Sequence, residues 1–356
     1  MKYTILIAAL FCGVAVSAQE KESGLQFAAR YARPGMTFGK EPWEKQLNKP
    51  VPAFHFNKEL NSTALKGKVV VLDFWATWCM GCLVVSHGMD SLLVKETDAY
   101  RDVQIIGVNT KEKMVDKGYN AHDYWKKTGK GFPMVDGPAA DSCGASVSNG
   151  FPTVMVVDDK GIIRKRWDGA GPATAGEVRL EVWKYAVYPR IKELPASWEN
   201  VRVFLEKKDW LSALYFADAL PENYDSNSVL KLQALLRVSE EKAAGYAQLL
   251  LQKMDTSARY HQLGTLAVKA IAGSTSMNQE LVETGLAIYR KLSRRRTGND
   301  FDLLAYCSEL YWKYSVIQKT TAMQLAERSR NLMEELKGNT PAVKEQLDRL
   351  AKAFGQ

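Results

Sequence analysis

Cysteine is scarce in this chain, at five in 356 residues, and Cys12 falls in the N-terminal leader described below. The four that remain, Cys79, Cys82, Cys143 and Cys307, are too few to staple a scaffold of this length. Histidine is scarcer still, at four. No second Cys-x-x-Cys and no His-x-x-x-His completes a four-ligand zinc site, so Cys79 and Cys82 are not read as half of one. Leu83 follows Cys82 where covalent haem attachment needs a histidine. Past the leader, no stretch is long and apolar enough to cross a bilayer. The formal charge of +8 is scattered. Its densest run, Arg294 to Arg296 beside Lys291, reads as a solvated helix C-terminus that complements the dipole rather than a nucleic-acid patch. What is present, 46% hydrophobic and 25% charged residues, is that of an ordinary globular chain with room for two or three domains.

The leader is predicted over residues 1–18. Met1-Lys2 gives a positive start, Ile5 to Val16 is apolar without charge, and Val16-Ser-Ala18 offers small residues for cleavage before Gln19. About a dozen apolar residues are too short for a membrane anchor of roughly twenty. A lipoprotein signal at Cys12 is disfavoured by the bulky Phe11 before it. The expected location is the periplasm or cell envelope. Residues 19–47, with Pro34-Gly35 and Gly39, are read as an extended or loosely packed N-terminal extension.

The chemistry is concentrated in Val69-Val-Val-Leu-Asp-Phe-Trp-Ala-Thr-Trp-Cys-Met-Gly-Cys82. The apolar run predicts a strand buried on both faces. The cysteines fall where strand gives way to helix, and positions i and i+3 of a helix share a face. Cys79 and Cys82 can therefore close a small disulfide ring. Cys79, nearest the helix start, is the expected nucleophile, because unpaired N–H groups and the helix dipole stabilise a thiolate there. Cys82, one turn in, is the expected resolving thiol. Asp73 is the one charge in the apolar run, and burial should raise its pKa.

Around this stretch the pattern predicts an α/β fold. Val51–Phe56 is read as an edge strand, Leu83 to about Glu96 as a helix, and Val103–Val108 as a strand. Lys111–Thr128 is read as an amphipathic helix ending at Gly129, and Phe132–Val135 as a short strand. Two β-type runs flanking Asp159-Lys-Gly161 signal a hairpin, followed by a helix from about Thr174 to Tyr188. The order β-α-β-α-β-β-α gives a mixed sheet with helices on both faces.

Leu72–Cys82 closely resembles the active-site segment of thioredoxins, and Phe151-Pro-Thr153 before the hairpin resembles their cis-proline loop. Leu65-Lys-Gly-Lys68 and the material before Pro152 are more similar to the exported TlpA-like subgroup. The resemblance spans residues 48–189 and implies a thioredoxin fold without cofactor or metal. It implies that Asp73 is a buried acid behind Cys82 that accepts its proton. It also implies that Pro152 is cis, with Phe151 and Thr153 beside a docked substrate strand. Trp78 is placed on the rim of the site, and Trp75 mostly in the core. Met80-Gly81 departs from the family, which commonly has proline just before the second cysteine. A peroxidase is disfavoured, since Leu72 and Ala76 stand where a Pro-x-x-x-Thr-x-x-Cys motif needs proline and threonine. Cys143 is read as a buried cysteine or a third redox thiol, and Cys307 as helix packing.

Residues 190–356 change character. Leu-, Ala- and Tyr-rich helical segments recur around Ala213, Ala247, Ala287 and Ala326, eight or nine in all, and resemble tetratricopeptide-type hairpins. An irregular all-helical domain is the alternative. Either would bind a protein partner. The expected activity is thiol–disulfide exchange with protein thiols and disulfides, served by an upstream, membrane-bound redox partner and without nucleic acid. The alternative function is a scaffold in which the redox fold only presents a surface.

Overall fold

The computed structural model describes residues 24–31, 46–112, 120–147, 150–169, 171, 173–254, 258–293, 301–314, 319–336 and 340–354. The predicted leader and the Arg294–Arg296 run lie outside them.

Val70–Trp75 forms β1, and every residue of it is buried. A sheet of order β3-β2-β1-β4-β5 surrounds it, with β2 Gln104–Asn109, β3 Met134–Val135, β4 Thr153–Val157 and β5 Ile163–Asp168. β2 and β3 run parallel to β1, β4 runs antiparallel to it, and β5, antiparallel to β4, runs in the direction of β1 again. The pleat sorts β1 cleanly. Val71 and Trp75 enter one core, with helix α2 (Met80–Met89); Val70, Leu72 and Phe74 enter the other, with Phe54, Leu65 and Cys143. By this alternation Asp73 lies on the α2 face. The hairpin closes at Gly161, whose φ of +79° suits a residue without Cβ. Asp158 Oδ1 accepts the N–H groups of Lys160 and Ile162 in that turn.

Four details differ from the sequence reading. Val51–Phe56 is no strand. Only Pro50 and His55 make isolated bridges there, and Pro52 has no N–H to donate to a ladder. The helix expected from Lys111 begins as α3 (Ala121–Thr128), where the Asn120 side chain caps the Asp123 N–H; residues 113–119 are outside the described set. It ends at Gly129 in the left-handed conformation, as the sequence indicated. A further helix, α4 (Pro138–Val147), covers the face opposite α2. Its small residues carry no large apolar stripe, and Gly144 lets it lie against Thr110, which a Cβ would meet at 2.8 Å.

The fourth difference is in the N-terminal extension, where Gly24–Tyr31 is a helix, α1. Phe27 is fully buried against Trp183 and Tyr215, with centroids 5.0 and 5.4 Å away. Arg30 and Tyr31 both donate to Asp218. Trp183 follows α5 (Thr174–Val182), and Tyr215 and Asp218 belong to α8 (Trp210–Asp218), so α1 fastens the sheet domain to the helices after it. Phe27→Ala should cost about 3–5 kcal/mol in chemical denaturation. A loss below about 1 kcal/mol would show that α1 is not part of the folded core.

The C-terminal half is all helical. Beyond α6 (Tyr188–Ile191) come α7 (Trp198–Glu206), α8, α9 (Ser226–Val238), α10 (Glu240–Lys253) and α11 (Ala258–Gly273). They are followed by α12 (Gln279–Ser293), α13 (Phe301–Tyr314), α14 (Lys319–Glu335) and α15 (Pro341–Phe354). α9, α11, α13 and α15 stack in one row and α10 and α12 in another. The two halves share a core in which the Trp183 indole donates to Ser212, the Trp210 indole to Glu96, and Arg179 to the Arg237 carbonyl. Among the described residues, no helix is long and apolar enough to cross a membrane.

Candidate active site

β1 ends at Trp75, and Ala76–Trp78 carry the chain over the end of the sheet to Cys79, the N-cap of α2. Cys79 and Cys82 are joined as a disulfide with Cα atoms 5.3 Å apart. The Cys82 N–H donates to Cys79 Sγ at 3.2 Å. The same N–H is one of the unsatisfied donors of the first helical turn, so reduction would leave it aimed at a Cys79 thiolate. Cys79 is 8% exposed and Cys82 not at all. The outer cysteine keeps a small exposed surface, and the inner one is shielded.

Asp73 is completely buried. Ser86, one turn beyond Cys82 on α2, donates its hydroxyl to Asp73 Oδ2. Among the described residues, Asp73 Oδ1 has no hydrogen-bond partner. Burial pushes this carboxyl up to about 7, while the Ser86 bond and the Lys130 ammonium partly counter that rise. An acid poised near neutrality can both take and return a proton.

The wall of the site comes from two loops. The Phe151–Pro152 peptide bond is cis. The Phe151 ring meets half-buried Trp78 edge-on at 5.5 Å, and Lys111 Nζ sits 5.3 Å from its centroid. Trp75, in contrast, is wholly in the core. The Thr153 side chain, expected beside a docked substrate, is fully buried, and its hydroxyl lies 2.9 Å from the Gly150 carbonyl and 2.8 Å from Asp168 Oδ1. Its side chain shapes the loop. Met80 and Val84, one turn apart on α2, are 72% and 60% exposed and leave apolar surface beside the disulfide.

Sequence reading missed the corner after β2. Glu112 accepts from the Thr77 N–H at 2.6 Å, the Thr77 hydroxyl at 2.7 Å and the Asn109 amide at 2.6 Å. The Trp78 indole donates to the Lys111 carbonyl at 3.3 Å. Asp141 of α4 accepts from the Lys111 N–H and the Thr110 hydroxyl. Lys111 has φ of +58°, a left-handed backbone unusual for a side chain of this type. Together these bonds tie the two residues before Cys79 to the end of β2. No local pattern announces pairs 35 residues apart; a polar Asn-Thr-Lys-Glu run directly after an apolar strand is the only hint.

Cys143 is not gathered into this site. It is free, buried among the residues of the opposite sheet face, and burial pushes its thiol up to about 11. Cys307 is likewise free and buried, within α13. Among the described residues, no group of three His, Cys, Asp or Glu side chains could hold a metal ion.

The family described as Redoxin matches residues 46–179. Fold and site thus define a thioredoxin-fold thiol–disulfide oxidoreductase, extended by an all-helical C-terminal region. Among curated proteins, the thiol:disulfide interchange protein DsbE of Tatumella citrea is 31% identical over 154 residues, which are 40% of this chain and 72% of that protein. Its namesake in Haemophilus influenzae is 31% identical over 150 residues, 40% and 74% of the two chains. A crystal structure of a thioredoxin-family thiol:disulfide interchange protein from Chlorobium tepidum TLS covers 38% of this chain and 95% of its own, at 25% identity and a TM-score of 0.31. The chain belongs to the DsbE family of thiol:disulfide interchange proteins.

Proposed function

We propose that the protein exchanges disulfides with protein substrates outside the cytoplasm, with Cys79 as nucleophile and Cys82 as resolving thiol. The observation that carries this reading is the asymmetry of the pair. The outer sulfur caps a helix, and the inner one is buried on the same face as an acid poised near pH 7. In the reducing direction, the Cys79 thiolate attacks a substrate disulfide, forming one S–S bond and releasing one substrate thiolate. Cys82 then attacks Cys79 Sγ, its proton passing to Asp73. The Cys79–Cys82 bond forms, the second substrate thiolate leaves, and two electrons have moved from the dithiol to the substrate. The oxidising direction is the reverse.

Trp78, Phe151 and the Pro152 loop form the wall against which an extended substrate segment docks, and Met80 and Val84 add apolar surface. Residues 1–18 serve as the export signal, and a membrane-bound partner renews the pair on the far side of the inner membrane. The provisional division is 1–18 signal, 19–47 extension, 48–189 redox domain and 190–356 helical domain. The two-row stacking of α9 to α15 supports tetratricopeptide-like pairs that recruit a protein partner. The direct test is reduction of insulin disulfides with dithiothreitol as electron source. Catalytic amounts of the protein should shorten the lag before the insulin B chain precipitates. A wild-type protein with no effect on the lag, in either redox state, would defeat the proposal.

A further inference from the structure

Ser86 is spent on one contact. It is fully buried in α2, and its hydroxyl donates to Asp73 Oδ2. Cys82 and Ser86, four residues apart on one helix, present the same face to β1. The other Asp73 oxygen, Oδ1, is buried and has no hydrogen-bond partner among the described residues. The carboxyl is therefore held by one oxygen and offers the other as the site that takes a proton.

We infer that Ser86 is a positioning residue for the exchange reaction: by holding Asp73 Oδ2 it stabilises the ionised carboxylate, leaves Oδ1 to receive the Cys82 proton, and so sets the pH range in which Cys82 resolves a mixed disulfide. This rests on the proton-acceptor role given to Asp73 above. A carboxylate in a dry site loses its hydration, and each donor aimed at the charged form recovers part of that loss. The surroundings of Asp73 offer few donors. β2 and β4 set Gly107 and Val154 beside it, neither titratable. α2 contributes Cys82 and Ser86, and the loop after α3 contributes half-buried Lys130. Lys130 acts through space and is shared with Asp90, while Lys95 opposes its charge; its own pKa is lowered, chiefly by burial. Among the described residues, Ser86 supplies the one side-chain hydrogen bond to the carboxyl. Without it the neutral acid is favoured, and a neutral Asp73 cannot take the proton from Cys82.

The test uses the full reduced protein and the aromatic disulfide DTNB. Attack by Cys79 releases one thionitrobenzoate, and resolution by Cys82 releases the second. In Ser86→Ala the Asp73 carboxyl-carbon titration, followed by NMR, should move up by about one pH unit. The second release should shift its pH profile by the same amount, slow about fivefold at pH 7, and leave the first release unchanged. Ser86→Thr should restore both. An Asp73 midpoint that stays in place in a folded Ser86→Ala protein overturns the inference, whatever Asp73 does. If the midpoint moves while resolution ignores pH in both Ser86→Ala and Asp73→Asn, the failure belongs to the Asp73 reading, and the pH-setting role falls with it. A general loss of packing would lower the melting temperature without moving the midpoint, and it counts against Ser86.

Discussion

Cys82→Ser should accumulate covalent complexes through Cys79 that survive non-reducing electrophoresis and vanish with dithiothreitol, whereas Cys79→Ser should accumulate few or none. Both variants should lose turnover with insulin, by at least about a hundredfold, because each removes a thiol that the two-step exchange needs. The difference between them follows from position. Cys79 caps α2 and retains 8% exposure, and Cys82 has none. An incoming disulfide in line with Cys82 would have to enter the core between α2 and β1. Cys79 has the helix N-terminus to stabilise its thiolate, and the Cys82 N–H remains aimed at it when Cys82 is serine. The reverse pattern, with complexes in Cys79→Ser alone, would exchange the two roles.

Asp73→Asn should make the protein more stable and slower at once. The folded-state pKa of Asp73 is raised from 3.8 to about 7. Well below pH 3.8 the carboxyl is neutral in both folded and unfolded states and contributes no penalty. Between pH 4 and 7 the folded state holds a proton that the unfolded state has released, so stability falls as pH rises. Above pH 7 the full penalty, up to about 4 kcal/mol, is present. Denaturation at pH 3 and pH 8.5 should therefore find the variant close to wild type at the lower pH and clearly more stable at the higher one. Resolution of the mixed disulfide should slow at least about tenfold near pH 7, with loss of its acid limb. A variant no more stable at pH 8.5 than wild type would mean that Asp73 is solvated when ionised. An unchanged resolution rate from pH 6 to 9 would remove it from the proton path.

The Ser86 and Asp73 variants pull in opposite directions. Removing the donor leaves the acid buried and poorly supported, so Ser86→Ala should steepen the loss of stability with rising pH. Removing the acid abolishes that loss. The pair is thus testable by equilibrium measurements alone, apart from any assay of exchange. A carboxyl retained in such a place at a cost to stability is the kind of local conflict that function explains.

What could be read from the chain followed short-range rules. The i and i+3 spacing of Cys79 and Cys82 at a strand–helix junction, the apolar run with its single acid and the hairpin around Gly161 are all set within a dozen residues. Backbone geometry leaves few other ways to fold them. Recurring Leu, Ala and Tyr announced a helical second half because burying one helix face demands that period. The sequence determined the dithiol, the sheet that carries it and the change of character beyond it. The tertiary structure decided what surrounds them. Phe27 lies in a stretch of mixed polarity, and only the distant Trp183 and Tyr215 make α1 a part of the core. Glu112 ties down Thr77 from 35 residues away, and Ser86 meets Asp73 only because α2 packs on β1. A contact between residues far apart in the chain has no period and no local signature. It exists only once burial has chosen which faces meet, and in this protein those late contacts settle how the Cys79–Cys82 pair is held and what surrounds the Asp73 carboxyl.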